Sequence, residues 1–265
     1  MNQPRFEDLT ETTGVALSPE AARMMFTRYR IAREVSRGKR VLEIGCGSGQ
    51  GLGMLSGEAS SLVGSDFSMP LLKEAGEHYG RRVPLVRLSA DALPFRRASF
   101  DVILCFEASY YIHDVTRALD DIVTVLAPDG MVLFVNANPE RPDFIPSPHS
   151  VHYHTADEFR TALGQRGFTV QIMGAFPVIP SKSGGAIKQL IGGVLPIARR
   201  ILETFGLVPK TLRGRARLKR LVYGKLLTVP SELQPGFSEV AERTPVAPGP
   251  QRGYKVIYVH GVRTS

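Results

Sequence analysis

The sequence of 265 residues contains no tryptophan and only two cysteines, Cys46 and Cys105. Two thiols cannot build a disulfide framework, and neither has a second cysteine or a histidine at metal-ligand spacing, which excludes disulfide scaffolds and structural zinc modules. Both read as small packing residues near a sheet edge. Long apolar runs are also missing: stretches such as Met131 to Val135 fall far short of the roughly 20 residues that span a bilayer. No basic segment followed by an apolar one opens the chain, so a cytoplasmic protein is expected. Acidic residues are scarce in one place. Between Ser181 and Lys225 eleven Lys or Arg face a single acid, Glu203, so this stretch carries +10 and the remainder −2 of the formal net charge of +8. The basicity is local. An apolar content of 43% with mixed charge describes a soluble globular chain, long enough for one full core or for a domain with a sizeable insertion.

What is present is an alternation. Residues 1–17 show weak periodicity and read as a partly ordered arm. Ser18-Pro19-Glu20 then supplies an N-cap, a first-turn proline and a first-turn acid ahead of Ala22, Met25, Tyr29 and Ala32, which predicts a helix to about Val35. Short β-prone runs follow at Val41-Leu42-Glu43-Ile44, Leu62-Val63-Gly64, Leu85 to Leu88, Val102-Ile103-Leu104 and Met131 to Val135. Helical patterns lie between them, behind Ser68 (Met69, Leu72, Ala75, Tyr79) and behind Asp114 (Val115 to Leu126). Thr155-Ala156-Asp157-Glu158 is a capping box that opens another helix, followed by strands at Phe168 to Ile172 and Tyr254 to His260. This pattern predicts an α/β fold: a doubly wound, mostly parallel, seven-stranded sheet with a helical insertion between the last two strands. The expected organisation is an arm and helix at 1–39, a core of 40–173 and 253–265, and a basic helical cap at 174–252. Within that cap, Ile187 to Phe205 and Leu212 to Leu227 have helical spacing, whereas Pro230 to Pro250 reads as irregular.

The chemistry concentrates at the carboxyl ends of the strands, where open α/β sheets bind ligands. Glu43-Ile44-Gly45-Cys46-Gly47-Ser48-Gly49 is a G-x-G-x-G turn ending the first core strand and leading into a helix; Gln50 breaks the dinucleotide form G-x-G-x-x-G. The glycines permit a tight turn and close approach of backbone to a ligand. Asp66 ends the next strand, where an acid can accept both hydroxyls of an adenosine ribose. Each feature alone also fits a plain turn or a helix cap.

Together with Ser89-Ala90-Asp91-Ala92-Leu93-Pro94-Phe95, Ser99-Phe100-Asp101-Val102-Ile103 and Leu126-Ala127-Pro128-Asp129-Gly130-Met131, these motifs resemble the class I S-adenosylmethionine-dependent methyltransferases over about 40–175. Asp129 departs from the family, which often has a second glycine there. The resemblance implies a Rossmann-like fold, S-adenosyl-L-methionine as cofactor and S-adenosyl-L-homocysteine as product. It implies that Gly45, Gly47 and Gly49 flank the methionine part and that Asp66 binds the ribose. Phe67 and Met69 then pack near adenine, Asp91 and the Ala92 amide read its edge, and Phe106 lines the sulfonium side. Tyr29 and Glu43 complete the cofactor set.

The acceptor side starts after the fourth core strand, with Glu107, Tyr110, Tyr111 and His113; His149, His152, Tyr153 and His154 follow the fifth. The catalytic candidates are His113, His152, His154, Glu107 and Tyr111, with a histidine general base for a hydroxyl acceptor as one option. No metal is expected, because no acid or cysteine completes a ligand set with the histidines. The reading is methyl transfer to a small or medium-sized metabolite, with anionic, glycosylated, phosphorylated or lipid-linked acceptors all open. An RNA methyltransferase and a non-catalytic cofactor-binding regulator are the alternatives. No base-flipping motif follows the fourth strand, which disfavours nucleic acid. Segment 186–227 is a candidate for peripheral membrane contact. The sequence leaves the acceptor atom and the oligomeric state open.

Overall fold

The computed structural model of the protein describes residues 11–147, 149–178 and 226–264. The N-terminal arm contributes a two-residue strand, β1 (Ala16–Leu17), before helix α1 (Pro19–Val35). Helix α1 starts as its sequence dictates: the Ser18 side chain accepts from the Ala21 amide at 3.2 Å, and Pro19 occupies the first turn. Its buried stripe of Ala22, Met25, Phe26, Tyr29 and Ala32 packs on the sheet. The core then alternates through β2 (Arg40–Ile44), α2 (Leu52–Ser56), β3 (Ser61–Asp66), α3 (Met69–Tyr79), β4 (Leu85–Arg87), β5 (Phe100–Phe106), α4 (Val115–Val125) and β6 (Leu126–Ala137). It closes with α5 (Ala156–Gly164), β7 (Phe168–Pro177), β8 (Leu227–Thr228), β9 (Arg243–Pro245) and β10 (Tyr254–Arg263).

The main sheet has the order β4-β3-β2-β5-β6-β10-β7-β9. The pairs among β2, β3, β4, β5 and β6 are parallel, and β10 runs antiparallel between β6 and β7. The seven anticipated strands are all present in a mostly parallel open sheet. An eighth, β9, joins the β7 edge from the proline-rich stretch that reads as irregular in the sequence. Strand β7 runs on to Pro177, past the expected boundary of the inserted block, and the part of that block described at 226–252 is strand and turn without helix. The helical patterns of 186–227, with the membrane contact expected of them, lie almost wholly outside the described residues, as do residues 1–10 of the arm.

Strand alternation sorts the core into two faces. Val41, Val102, Leu104, Phe106 and Tyr258 pack under α1, α2 and α3, whereas Leu42, Ile44, Ile103, Cys105 and Val259 pack against α4 and α5. Period two therefore puts Glu43, a charged residue inside a buried strand, on the α1 face beside Val41. The anticipated capping box at Thr155 and Glu158 is formed. Asp129 stands at φ +56°, so the aspartate adopts the left-handed conformation in which the family often places glycine.

Candidate active site

The turn after β2 is built around three glycines with positive φ: Gly45 at +77°, Gly47 at +57° and Gly49 at +85°. Two of them are hemmed in. A Cβ on Gly45 would stand 2.5 Å from the Ala108 Cβ, and one on Gly49 would stand 2.8 Å from the Tyr79 ring. The Tyr79 hydroxyl donates to the Gly49 carbonyl at 2.6 Å and accepts from the Gly53 amide, tying α3 to the turn. Asp66 holds the other side: its Oδ2 accepts the Gly47 amide and its Oδ1 the Ser68 amide, each at 2.8 Å. Ser68 thus occupies the N-cap of α3 while its side chain makes no capping bond. Burial raises the Asp66 carboxyl, and the Ser68 and Gly47 amides oppose that rise. The Phe67 amide also bonds this carboxylate, so of its roughly four lone-pair positions one remains for a ribose hydroxyl. Phe67 and Met69, beside it, are 44% and 51% exposed, unusual for such apolar side chains and suited to an adenine face.

Beneath the turn, Tyr29 is buried with its hydroxyl donating to Glu43 Oε1 at 2.7 Å. Its ring fills the space where Gly51 lacks a side chain, since a Cβ there would lie 1.8 Å from Tyr29 Cε1. The Phe106 ring meets it edge-on at 5.3 Å. Phe106, expected on the sulfonium side, is thus buried under the turn, and Tyr29 serves the turn through Gly51 and Glu43. Glu43 is fully buried, and its Oε2 has no hydrogen-bond partner among the described residues. Burial pushes its carboxyl up to about 7, the Tyr29 hydroxyl and Arg28 opposing and Asp66 reinforcing the rise. An orphaned carboxylate oxygen beside a glycine turn fits a cationic ligand group such as the ammonium of an amino acid.

This arrangement makes stability pH-dependent. A carboxyl near 7 when folded and near 4.5 when unfolded stabilises the ligand-free fold fully below the lower value and loses that contribution as pH rises through the upper one. We expect ligand-free protein to lose about 3 kcal/mol from Glu43 across this window, and the Glu43→Gln variant to lack that component. Urea titrations at pH values on either side of the window check it; an identical pH slope in the variant would reassign the effect.

Asp91 is committed locally: Oδ2 accepts from the Ser89 hydroxyl and Oδ1 from the Asp114 amide. The Ala92 amide, expected to read adenine, donates to the Ser89 carbonyl at 3.1 Å, a competing bond inside its own turn. Above the turn, Thr13 approaches Ser48, the Gln50 side chain donates to Ser48, and the Leu233 amide donates to the Gln50 carbonyl at 2.7 Å. The Glu232 side chain covers Gly53 and pairs with His78 and Arg82 of the α3 region. β1 and β8 pair antiparallel through Leu17 with Leu227. The arm and the strand returning from the inserted block thus lie together against the turn.

After β5, Glu107 stands at φ +49°, a conformation rare for a residue with a side chain, and its neighbour Ala108 closes the space beside Gly45. The Tyr110 hydroxyl donates to Glu107 Oε2 at 3.1 Å. Burial raises the Glu107 carboxyl to about 7 against the pull of Arg28. Arg28 is itself buried in α1 and ion-paired with Glu11 of the arm. Burial opposes its charge, and Glu11 outweighs that and raises its pKa above the usual arginine value. Tyr111 joins through its ring, 4.6 Å from Tyr110, and its hydroxyl lies 2.6 Å from that of Ser147.

The histidines do not converge on Glu107. His113 is exposed before α4, while His152 bonds Glu158 at the start of α5 and packs on His154, whose pKa burial and His152 lower. Among the described residues no group of three His, Cys, Asp or Glu is placed to hold a metal. Arg28 and Glu11 escape sequence reasoning because they lie outside any motif, and the role of Gly51, at the end of the glycine motif, shows only through the Tyr29 ring packed on it.

A family model described as "Methyltransferase domain" matches residues 42–134. That span holds the glycine turn, Asp66, Asp91 and Glu107 in order. The chain contains a class I S-adenosylmethionine-dependent methyltransferase domain. Among its curated relatives is phthiotriol/phenolphthiotriol dimycocerosates methyltransferase 1 of Mycobacterium ulcerans, 36% identical over 118 residues and 43% of either chain. Another is the O-methyltransferase cnsE of Penicillium expansum, 30% identical over 176 residues, 61% of this chain and 58% of the relative. The chain thus spans about half the length of the curated relatives it matches. The methyltransferase domain also has the fold of the YcgJ protein of Bacillus subtilis, with a TM-score of 0.56 and 20% identity over 89% of this chain and 98% of the other.

Proposed function

We propose that the protein transfers a methyl group from S-adenosylmethionine to a small or medium-sized metabolite that presents an apolar surface around its methyl-accepting atom. The observation that carries this is the pairing, across one glycine turn, of the orphaned Glu43 oxygen with the Asp66 carboxylate. These are acceptors for an ammonium at one end of a ligand and a ribose hydroxyl at the other. When bound, the cofactor supplies a methyl group on a positively charged sulfur, which leaves as a neutral thioether. Gly45, Gly47 and Gly49 would hold the methionine part, Asp66 the ribose, and Phe67 and Met69 the adenine. The chain's task is alignment: the turn fixes one reactant, and the residues after β5 and β6 fix the other.

The acceptor side is aromatic and apolar. Tyr110 and Tyr153 stack at 4.1 Å, Phe144 meets Tyr153 at 4.7 Å, and Ile145 and Val151 expose 57% and 49% of their surface. Such a wall favours an apolar scaffold over a nucleic acid, whose binding rests on cationic contacts to phosphate. The Mycobacterium ulcerans and Penicillium expansum relatives, one acting on phthiotriol and phenolphthiotriol dimycocerosates and the other an O-methyltransferase, support a hydroxylated acceptor of this kind.

Asp66→Ala should weaken S-adenosylhomocysteine at least tenfold in calorimetry, since each hydrogen bond to a charged group contributes about 1.5–3 kcal/mol. Unchanged affinity in the folded variant would remove the ribose assignment.

A further inference from the structure

Outside the cofactor pair, the buried groups that any methyl-transfer scheme leaves unused gather around one residue. Glu107 stands immediately beyond β5, with its amide on the Val135 carbonyl and its neighbour Ala108 against Gly45. It is thus one residue from the backbone that would hold the methionine part. Its left-handed φ turns the chain there without glycine, a strained choice for a purely structural position. One carboxylate oxygen receives the Tyr110 hydroxyl, and the residue as a whole is half-buried. The aromatic wall of Tyr110, Tyr111 and Tyr153 adjoins it, and Val151 is tied to that wall through its amide on the Tyr110 carbonyl at 2.7 Å.

We propose that Glu107 takes the proton from a hydroxyl acceptor, which makes the substrate a phenol or alcohol on an apolar scaffold. This rests on the methyl-transfer reading above. The O–H bond breaks as its proton passes to Glu107, while an oxygen electron pair forms the bond to the methyl carbon and the C–S pair returns to sulfur. A neutral ether, a neutral thioether and a protonated Glu107 result, so charge and atoms balance. The proton leaves to water on product release.

The surroundings set the base strength. Burial lifts Glu107 to about 7, and Arg28, the Tyr110 hydroxyl and the Ala137 amide hold it down while Glu11 pushes it up. Cys105, Tyr111, Tyr153 and Tyr258 also face it, each raised above its usual value chiefly by burial. A carboxylate poised near neutrality is the base strength that general-base catalysis uses best. The His152 ring is engaged by Glu158 and packs on His154, so the proton is assigned to Glu107 instead.

The test uses the full chain, with naphthol as hydroxyl probe and naphthylamine and thionaphthol as its counterparts. Calorimetry first establishes that wild type and Glu107→Gln bind S-adenosylhomocysteine alike; failure of the wild type to bind it would sink the methyl-transfer reading itself. On that complex, naphthol affinity should rise with pH through about 7 in the wild type and be flat in Glu107→Gln. Transfer of labelled methyl to naphthol should follow the same limb and fall at least about 100-fold in the variant. Tyr110→Phe removes a bond that lowers Glu107, so its limb should move to higher pH. A limb that survives in Glu107→Gln, or that tracks ionisation of naphthol itself, would overturn the base. Binding or methylation of the amine or thiol in preference to naphthol, or of none of the three, would overturn the hydroxyl class.

Discussion

Replacing Gly45 with valine should abolish cofactor binding and lower the melting temperature by about 5–15 °C. The backbone there is at φ +77°, where a β-branched residue is disfavoured by about 1–2 kcal/mol, and the new Cβ would stand 2.5 Å from that of Ala108. Relieving that overlap moves either the turn or the start of the acceptor loop, at a further cost of about 1–3 kcal/mol. Either movement separates the Gly47 amide from Asp66 and the turn from Glu107, so binding is lost even if the fold survives. Calorimetry with S-adenosylhomocysteine and a thermal melt read the two effects apart. Normal affinity in the variant would mean that the ligand lies elsewhere.

The second large effect is expected at Arg28, a buried cation of α1 beside Glu11 and Glu107. Arg28→Met should lower stability by about 2–4 kcal/mol in urea unfolding, because it strips the positive charge from beside Glu11 and Glu107. The loss stays below the upper range for broken buried pairs because Glu11 is partly hydrated, with 24% of its side chain exposed. Adding Glu11→Gln should recover part of it, since the uncompensated charge disappears. A single variant within 1 kcal/mol of wild type would show the pair to be energetically idle. The same substitution should raise Glu107 further, because Arg28 is the strongest group holding it down.

The sheet was legible because each core strand is a short apolar run between glycines or caps, and the helices announce themselves with Ser18, Asp114 and Thr155. Strand β9 was not, because Arg243-Thr244-Pro245 has no apolar alternation and borrows its pairing from β7. At the site, the glycine turn and Asp66 could be read because backbone geometry demands particular residues at fixed spacing. Glu43 and Tyr29 gain their meaning only from packing, since the hydroxyl of a helix residue meets a strand carboxylate across the sheet face. Arg28 and Glu11 form a pair across a loop and a helix, which no local pattern encodes. The histidine cluster attracted attention by residue type, and the fold placed it at the start of α5, with Glu158 as partner.

The pairing of β1 with β8 bears on the order in which the protein can be made. The cover of the glycine turn draws Thr13 from one end of the chain and Leu233 from near the other, and the bond from the Ala241 amide to Thr27 joins residues 214 apart. Contacts of such separation form late, after the loops they close have been restrained by other structure. While the chain emerges from the ribosome, the sheet from β2 to β6 can therefore assemble with its ligand turn uncovered. The cover can close only once residues 227–241 have been made, well after the turn that they lie against.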